Sequence, residues 1–364
     1  MTLSPRERVN AAIERTPIDR APSQFRAEPE VYLKIRKARG LTSDEAVREW
    51  ALSDIRDLGN IMAEGGYGPY TGFGWRDRVL PDGTQEDFWQ VRRTHVRYDG
   101  GSYIDICYHP LEKASAREIQ AYEWPDPRRI FDFSPLAAMV REFDRRRHLW
   151  YMVEVDSVFD RCWALRGMEQ FLCDLLTEPE LAGFMLEQMA LFFERRTQML
   201  LQAADGCLDG VGFFNDLGTQ RGMLIDPELY RSFVKPWQRR LAEMVKSQGL
   251  KIFYHSCGSV EPLYEDFIDI GVDIVDPVQL RAMTVSAEEL KQRYGGRLTF
   301  HGGLDTQGFL NSAAPEAAGR EARRLIEILG RDGGYILSGS HFYQLDIPVE
   351  NMEAVTAELA RGVP

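Results

Sequence analysis

The sequence predicts a (β/α)8 barrel of the TIM type carrying an inserted β-hairpin. Three observations lead there. Eight short β-branched or aromatic runs are nearly all followed by helical periodicity. The chain has 364 residues at 44% hydrophobic, enough to bury one large α/β core. One region, 66–112, departs from this alternation with glycine-rich turns and strand-like runs. Eight βα units in one chain of this length fill a single barrel domain, 1–364, and a doubly wound sheet is the alternative architecture.

Taken in order, Ser4 caps a first helix with Pro5 at its first position. Asp19-Arg20-Ala21-Pro22 breaks it, and Ser23 to Phe25 reads as a short strand ending at Arg26. Helices follow at 28–39 and 43–52, the second running into a weak strand at Leu52-Ser53-Asp54-Ile55. In 66–112, QEDFWQVRRTHVRYDGGSYIDICYHPL gives two alternating runs about an Asp-Gly-Gly turn, the pattern of a hairpin. The segment EWPDP at 123–127 ends the insertion. Strands are then expected at 151–155, 210–214, 251–255, 272–275, 297–301 and 335–337. Helices are expected at 160–175, 178–203, 227–247, 259–269, 286–294, 315–329 and 349–361.

Composition excludes several classes. No run of 18 apolar residues exists to span a membrane, and the first twenty residues lack a secretory apolar segment. Five irregularly spaced cysteines without a C-x-x-C read as reduced thiols, so a cytoplasmic location is expected. A net charge of −12 argues against a general nucleic-acid surface.

The stretch Lys251 to Gln279 concentrates the chemistry. A buried strand runs into His255-Ser256-Cys257-Gly258, so a histidine and a cysteine on one side of the chain reach a βα loop. In a barrel they share one mouth with Arg26, Asp54, Glu154, Asp156, Asn215, Asp216, Asp276, Gln279, His301, Asp305 and His341. Zinc takes about four N, S or O ligands at about 2.0–2.3 Å, and imidazole plus thiolate suits it. His341 is placed to add a third ligand, with Glu154 or a water completing the shell. The plainer alternative makes Cys257 a small buried residue and His255 a hydrogen-bond partner of the next loop. Asp54 at the mouth would anchor cationic or N–H groups, or else cap a helix; Asp216 and Asp305 sit in polar glycine-containing loops where turn chemistry is an equal explanation. His95, His109 and His148 read as surface or structural residues.

The runs YHSCGSVEPLYEDFIDIGVDIVDPVQ, HGGLDTQ and GGYILSGSHFYQLDIPVEN resemble the uroporphyrinogen decarboxylase superfamily, closer to its cobamide-dependent methyltransferases. The opening MTLSPRERVNAAIERTPIDRAP extends the likeness over nearly the whole chain. The resemblance implies zinc held by His255, Cys257 and His341, the last where those methyltransferases carry a cysteine. It also implies a methyl group exchanged between a small substrate and a corrinoid; no D-x-H-x-x-G motif is present, so the corrinoid would arrive on a partner protein. Under it Asp54, Asp216 and His341 are candidate catalytic residues, and Arg26, Glu154, Gln279 and Asp305 candidate substrate contacts. True decarboxylases of the superfamily instead need an R-Q-A-G-R run, replaced here by Phe25-Arg26-Ala27-Glu28-Pro29 with at best one arginine retained, and a tyrosine whose place falls on Trp163. Cofactor-free decarboxylation of uroporphyrinogen, with Asp54 on the pyrrole N–H groups, is therefore ranked second. A non-catalytic corrinoid- or tetrapyrrole-binding protein is the third reading. The resemblance also leads one to expect a homodimer.

Overall fold

The computed structural model describes residues 2–59, 77–98, 101–144 and 148–362. Seven strands form one parallel sheet in sequence order: β1 (Ile55–Asp57), β2 (Trp150–Asp156), β3 (Gly210–Phe214), β4 (Lys251–His255), β5 (Ile274–Val278), β6 (Thr299–Leu304) and β7 (Tyr335–Gly339). Helices lie between successive strands from β2 onward, as parallel pairing requires of its crossovers.

The sheet is curled, and the packing shows it. Ile55 of β1, Phe253 of β4 and Ile336 of β7 share one small buried cluster with Trp150, Met152 and Ile274, although β1 and β7 are opposite ends of the strand order. Val9 and Ile13 of the helix Pro5–Glu14 complete that cluster. This helix starts with the expected Ser4–Glu7 capping box and closes the end of the sheet where the strands begin. Gly334 N–H donates to the Ala12 carbonyl at 2.7 Å, and Arg15 reaches the carbonyls of Gly295 and Leu298. The outward-facing residues of the strands belong to a second, larger core under the helices.

The eighth strand expected at 22–26 does not form. That segment makes isolated parallel bridges, Ser23 to Leu337 and Ala27 to Tyr343, and on its other side the Ser23 carbonyl accepts from Asp54 N–H at 2.8 Å. The strand expected at 52–55 begins only at Ile55, because Leu52 takes a left-handed turn with φ +56°. Asp54 therefore precedes its strand instead of following it, and lies at the closed end, away from the mouth expected for it. It is fully buried there: Arg8 Nη1 donates to it at 2.6 Å, Arg20 at 2.8 and 2.9 Å, and Ser23 N–H at 3.0 Å.

Two other strands run further than their apolar residues alone indicate. β5 occupies 274–278 in place of 272–275, and β6 occupies 299–304 in place of 297–301. Gly302 and Gly303 extend β6 at φ +111° and +94°, backbone that side-chain-bearing residues rarely adopt. The helix expected from Ser259 begins instead as a short 3-10 turn at Glu261.

The inserted region forms an antiparallel sheet of four strands, Arg78–Val79, Gln85–Glu86, Arg92–Tyr98 and Gly101–Tyr108. The two long strands pair from Arg92–Tyr108 to Tyr98–Gly101, which fits a hairpin. Its turn residues Asp99 and Gly100, and 66–76 of the insertion, lie outside the described residues. The loop between Gln85–Glu86 and Arg92–Tyr98 places Phe88 and Trp89 beside the C-terminal ends of the parallel strands, where both meet Phe192 of the long helix Pro179–Ala204, at 5.7 and 4.5 Å between ring centroids.

Candidate active site

Alternation along each strand builds the site directly above the apolar cluster. On β4, Phe253 belongs to the cluster and His255, two residues on, faces the same way; on β5 the pair is Ile274 and Asp276; on β2, Met152 is followed by Glu154. An apolar floor thus carries a polar upper layer at the C-terminal ends of the strands, the end where barrel-like α/β sheets present their loops.

Asp276 is the hub of that layer. Its side chain is completely buried, and Arg26 grips it with Nη1 at 2.8 Å and Nη2 at 2.5 Å. His255 Nδ1 lies 2.5 Å from its Oδ2, and His301 Nδ1 lies 2.6 Å from its Oδ1. Burial works against the ionised carboxylate, but Arg26, His301 and His255 together hold its pKa well below the usual carboxylate range. The two imidazoles diverge. Burial dominates at His301 and lowers its pKa, so it sits neutral with Nδ1–H donated to Asp276 and a buried Nε2 that has no partner among the described residues. At His255 burial is outweighed by Asp276 and by Cys257, and the pKa rises well above that of free imidazole.

Bound to Asp276 through Nδ1, His255 turns Nε2 toward Cys257 Sγ at 3.6 Å and Asp216 Oδ1 at 3.8 Å. Phe214 stacks on the ring at 4.9 Å and fixes its plane. Asp216 is held over the loop by accepting the Cys257 N–H at 2.9 Å. Burial would raise the Cys257 thiol, but His255 and His341 beside it bring its pKa down, which favours thiolate.

Asp216, His255 and Cys257 offer carboxylate, imidazole and sulfur donors within 4.8 Å of one another. Two ligands on a tetrahedral zinc at about 2.0–2.3 Å are separated by about 3.3–3.8 Å. The 3.6 and 3.8 Å spacings therefore suit a shared zinc ion. The backing of His255 by Asp276 is the carboxylate–histidine pairing that orients a metal-bound imidazole. His341 contacts Cys257 and lines the adjoining cavity, but among the described residues the cluster within ligand distance contains Asp216 in its place.

A cavity of about 320 Å³ opens beside these groups. Its walls are mostly aromatic, with Phe88, Trp89, Phe131, Phe192, Phe193, Phe214 and Phe342 contributing, and Arg26, Asp57, Asp87, Glu154, Arg161, Arg196, His255 and His341 supply the polar points. Glu154 is half-buried, and burial pushes its pKa up to about 7 against the pull of Arg161 and Arg196. A carboxyl whose folded pKa is raised binds its proton more tightly when folded. Its contribution is thus present at low pH and lost as pH rises from about 4.5 to about 7. Asp156, also pushed up by burial, to about 6, acts in the same direction. The unfolding midpoint in urea is expected to fall over this range, and Glu154→Gln to flatten the fall. An unchanged profile in the variant would show that Glu154 is not its source.

Other expected contacts lie elsewhere. Gln279 is a buried strut, accepting from Gly258 N–H and Gln220 and donating to the Ser340 carbonyl at 2.7 Å. Asp305 closes a turn by accepting from Gln307 and Gly308 N–H. Neither lines the cavity among the described residues. Trp163 donates to Asp160 at 3.1 Å, and Asp160 in turn accepts Asp216 N–H. The central place of Asp276 and the wall residues Asp57, Arg161 and Arg196 are not apparent from sequence spacing. Asp276 and His301 do announce themselves as polar residues in β-branched or aromatic runs, whereas Arg196, in the helical run FFERRTQ, looks like a solvent-facing charge.

Among curated proteins none matches the chain. A methyltransferase from Methanosarcina mazei has a similar fold, with a TM-score of 0.69 at 15% identity over 99% of both chains. A 3-keto-D-glucoside 4-epimerase, YcjR, from E. coli aligns with 63% of this chain and 87% of its own at 12% identity, with a TM-score of only 0.37. The family model for uroporphyrinogen decarboxylase (URO-D) matches residues 148–361, from β2 through the last helix and including every donor of the Asp216–His255–Cys257 cluster. The chain belongs to the uroporphyrinogen decarboxylase family.

Proposed function

We propose that this URO-D family member is a zinc-dependent methyltransferase, passing a methyl group between a small substrate and a corrinoid carried by a separate protein. The observation that carries the reading is the spacing of Asp216, His255 and Cys257 on the apex of the Asp276 network. Zinc held there would act as a Lewis acid on the heteroatom that gives up or accepts the methyl group. Asp276 fixes the tautomer of His255, and Arg26 neutralises Asp276 so that its burial is sustained. His341 flanks Cys257, and Glu154, near neutrality at pH 7, is placed to hold or release a proton at the cavity wall. In this reading the segment 22–27 serves as the eighth stave of a closed barrel, carrying Arg26 into the site.

Decarboxylation of a polycarboxylated tetrapyrrole has less support. Arg26 is already committed to Asp276, and Asp54 is locked between Arg8 and Arg20 at the opposite end of the strands. Neither is placed for the substrate contact that chemistry asks of it.

Elemental analysis of the purified protein is expected to find about one zinc per chain, as a single tetrahedral site requires. His255→Ala and Cys257→Ser are expected to lose the metal, and methyl transfer to added cob(I)alamin to fall by about 100-fold or more. A metal-free protein with full activity would end the zinc reading. CO₂ release from uroporphyrinogen would favour the decarboxylase.

A further inference from the structure

We propose that Gln279 is the positioning residue of the metal cluster, a single buried amide that fixes the spacing of three loops. The inference rests on the zinc reading above and deepens it. Each of the three loops carries a polar group of the site: Asp216 follows β3, Cys257 follows β4 and His341 follows β7. Gln279 comes directly after β5 and is 5% exposed. Its hydrogen bonds go to a chain neighbour of each group. Oε1 accepts from the N–H of Gly258, the residue after Cys257, at 2.8 Å, and from Nε2 of Gln220, on the Asp216 loop, at 2.9 Å. Nε2 donates to the carbonyl of Ser340, the residue before His341, at 2.7 Å.

The second observation is how unevenly these loops are otherwise joined. Those after β3 and β4 are laced together: Cys257 N–H donates to Asp216 at 2.9 Å, Ser259 N–H to the Thr219 carbonyl at 2.9 Å, and Leu217 N–H to Ser256 Oγ at 2.9 Å. Gly258 leaves them no slack, since a Cβ there would stand 2.5 Å from the Thr219 carbonyl oxygen. The loop after β7 is anchored elsewhere. Ser340 N–H donates to the Leu304 carbonyl of β6, and Tyr343 N–H to the Arg26 carbonyl. Neither anchor involves the β3 or β4 loop. The Gln279 amide spans that gap and so sets how His341 meets the Cys257 thiol that it contacts.

The position asks for an acceptor and a donor on one side chain, because a backbone N–H faces one end of the amide and a carbonyl the other. An apolar side chain of the same length leaves both buried backbone groups unpaired. Partners standing behind a metal's ligands typically cost about 10–100-fold in metal affinity when they are removed.

The test is zinc affinity by chelator competition, together with the optical spectrum of the cobalt(II)-loaded protein, whose bands report ligand geometry. Gln279→Met keeps the bulk without the hydrogen bonds, and is expected to weaken zinc at least about tenfold and to alter the cobalt bands. Gln279→Glu keeps an oxygen for Gly258 and Gln220 and can carry a proton for Ser340, and is expected to lose less, about threefold. Asn351→Leu is the control: it deletes another fully buried amide, bonded to the carbonyls of Leu310 and Ala313, none of whose partners lies on the three loops. It is expected to lower the thermal midpoint while leaving zinc affinity within about twofold. Gln279→Met with a lowered midpoint but parent-like affinity and cobalt bands would make the amide merely structural and overturn the proposal. An equal loss of zinc in Asn351→Leu would overturn it too. If Gln279→Met does not fold, Gln279→Glu decides, a threefold loss supporting the proposal and parent-like affinity overturning it. A parent protein that binds neither zinc nor cobalt would sink the zinc reading and this inference together. The expected affinities with no methyl transfer to cob(I)alamin would sink the methyl-transfer reading and leave the positioning role standing.

Discussion

Asp276→Asn is expected to destabilise the protein by about 3–5 kcal/mol and to weaken zinc binding by about 10–100-fold. The carboxylate receives two bonds from Arg26 and one from each of two histidines, and its side chain is fully buried. Asparagine preserves the shape but leaves Arg26 as a buried cation with no counter-charge. It also presents N–H groups where His255 and His301 present theirs. His255 would lose the bond that holds Nε2 toward Cys257 and Asp216. Urea unfolding gives the stability change, and competition with a calibrated chelator gives the metal affinity. Near-wild-type values for both would show that the four groups are not coupled as their contacts imply.

Asp54→Ala is expected to cost a similar 3–5 kcal/mol through the stranded charges of Arg8 and Arg20. The molecules that remain folded should nevertheless transfer methyl at a rate within about twofold of the parent, since independent sites act additively. That combination separates the two chemistries. An aspartate that bound pyrrole N–H groups would abolish turnover with little loss of stability. Denaturation curves and rates measured on the folded fraction at low temperature distinguish the outcomes.

The sequence made the order of strands and helices legible, because each element is long enough to show its own period. The first helix, with Ser4 and Glu7 reciprocally bonded, and the strands Gly210–Phe214 and Lys251–His255 stand where their residues place them. The early end expected for β5 has a physical cause. Ending a strand at its first polar residue assumes that sheet interiors are apolar, whereas the upper layer of a curled sheet is polar. Asp276 continues β5 because Arg26, His255 and His301 satisfy its charge inside, and β6 runs on past the expected end at His301 through Gly302 and Gly303. Asp54 misled in the opposite sense. A carboxylate between Ser53 and Ile55 looks the same whether it begins a strand or ends one, and only Arg8 and Arg20 decide. The H-x-C pair was visible from two-residue alternation, but Asp216 joins it through a bond to Cys257 N–H that links residues 41 apart. The aromatic wall of the cavity draws on the inserted region and a distant helix, and no local pattern reports such a meeting.

Val9 and Ile13, seated beneath Trp150, Phe253 and Ile336, shut one end of the molecule. Among the described residues, the cavity that reaches His255 lies on the far side, beside the inserted loop that carries Phe88 and Trp89. Under the proposed methyl transfer, two reactants approaching from that side would have to arrive in order, the smaller first. A bulky second protein docked at that threshold would then seal the smaller molecule inside until the exchange is complete.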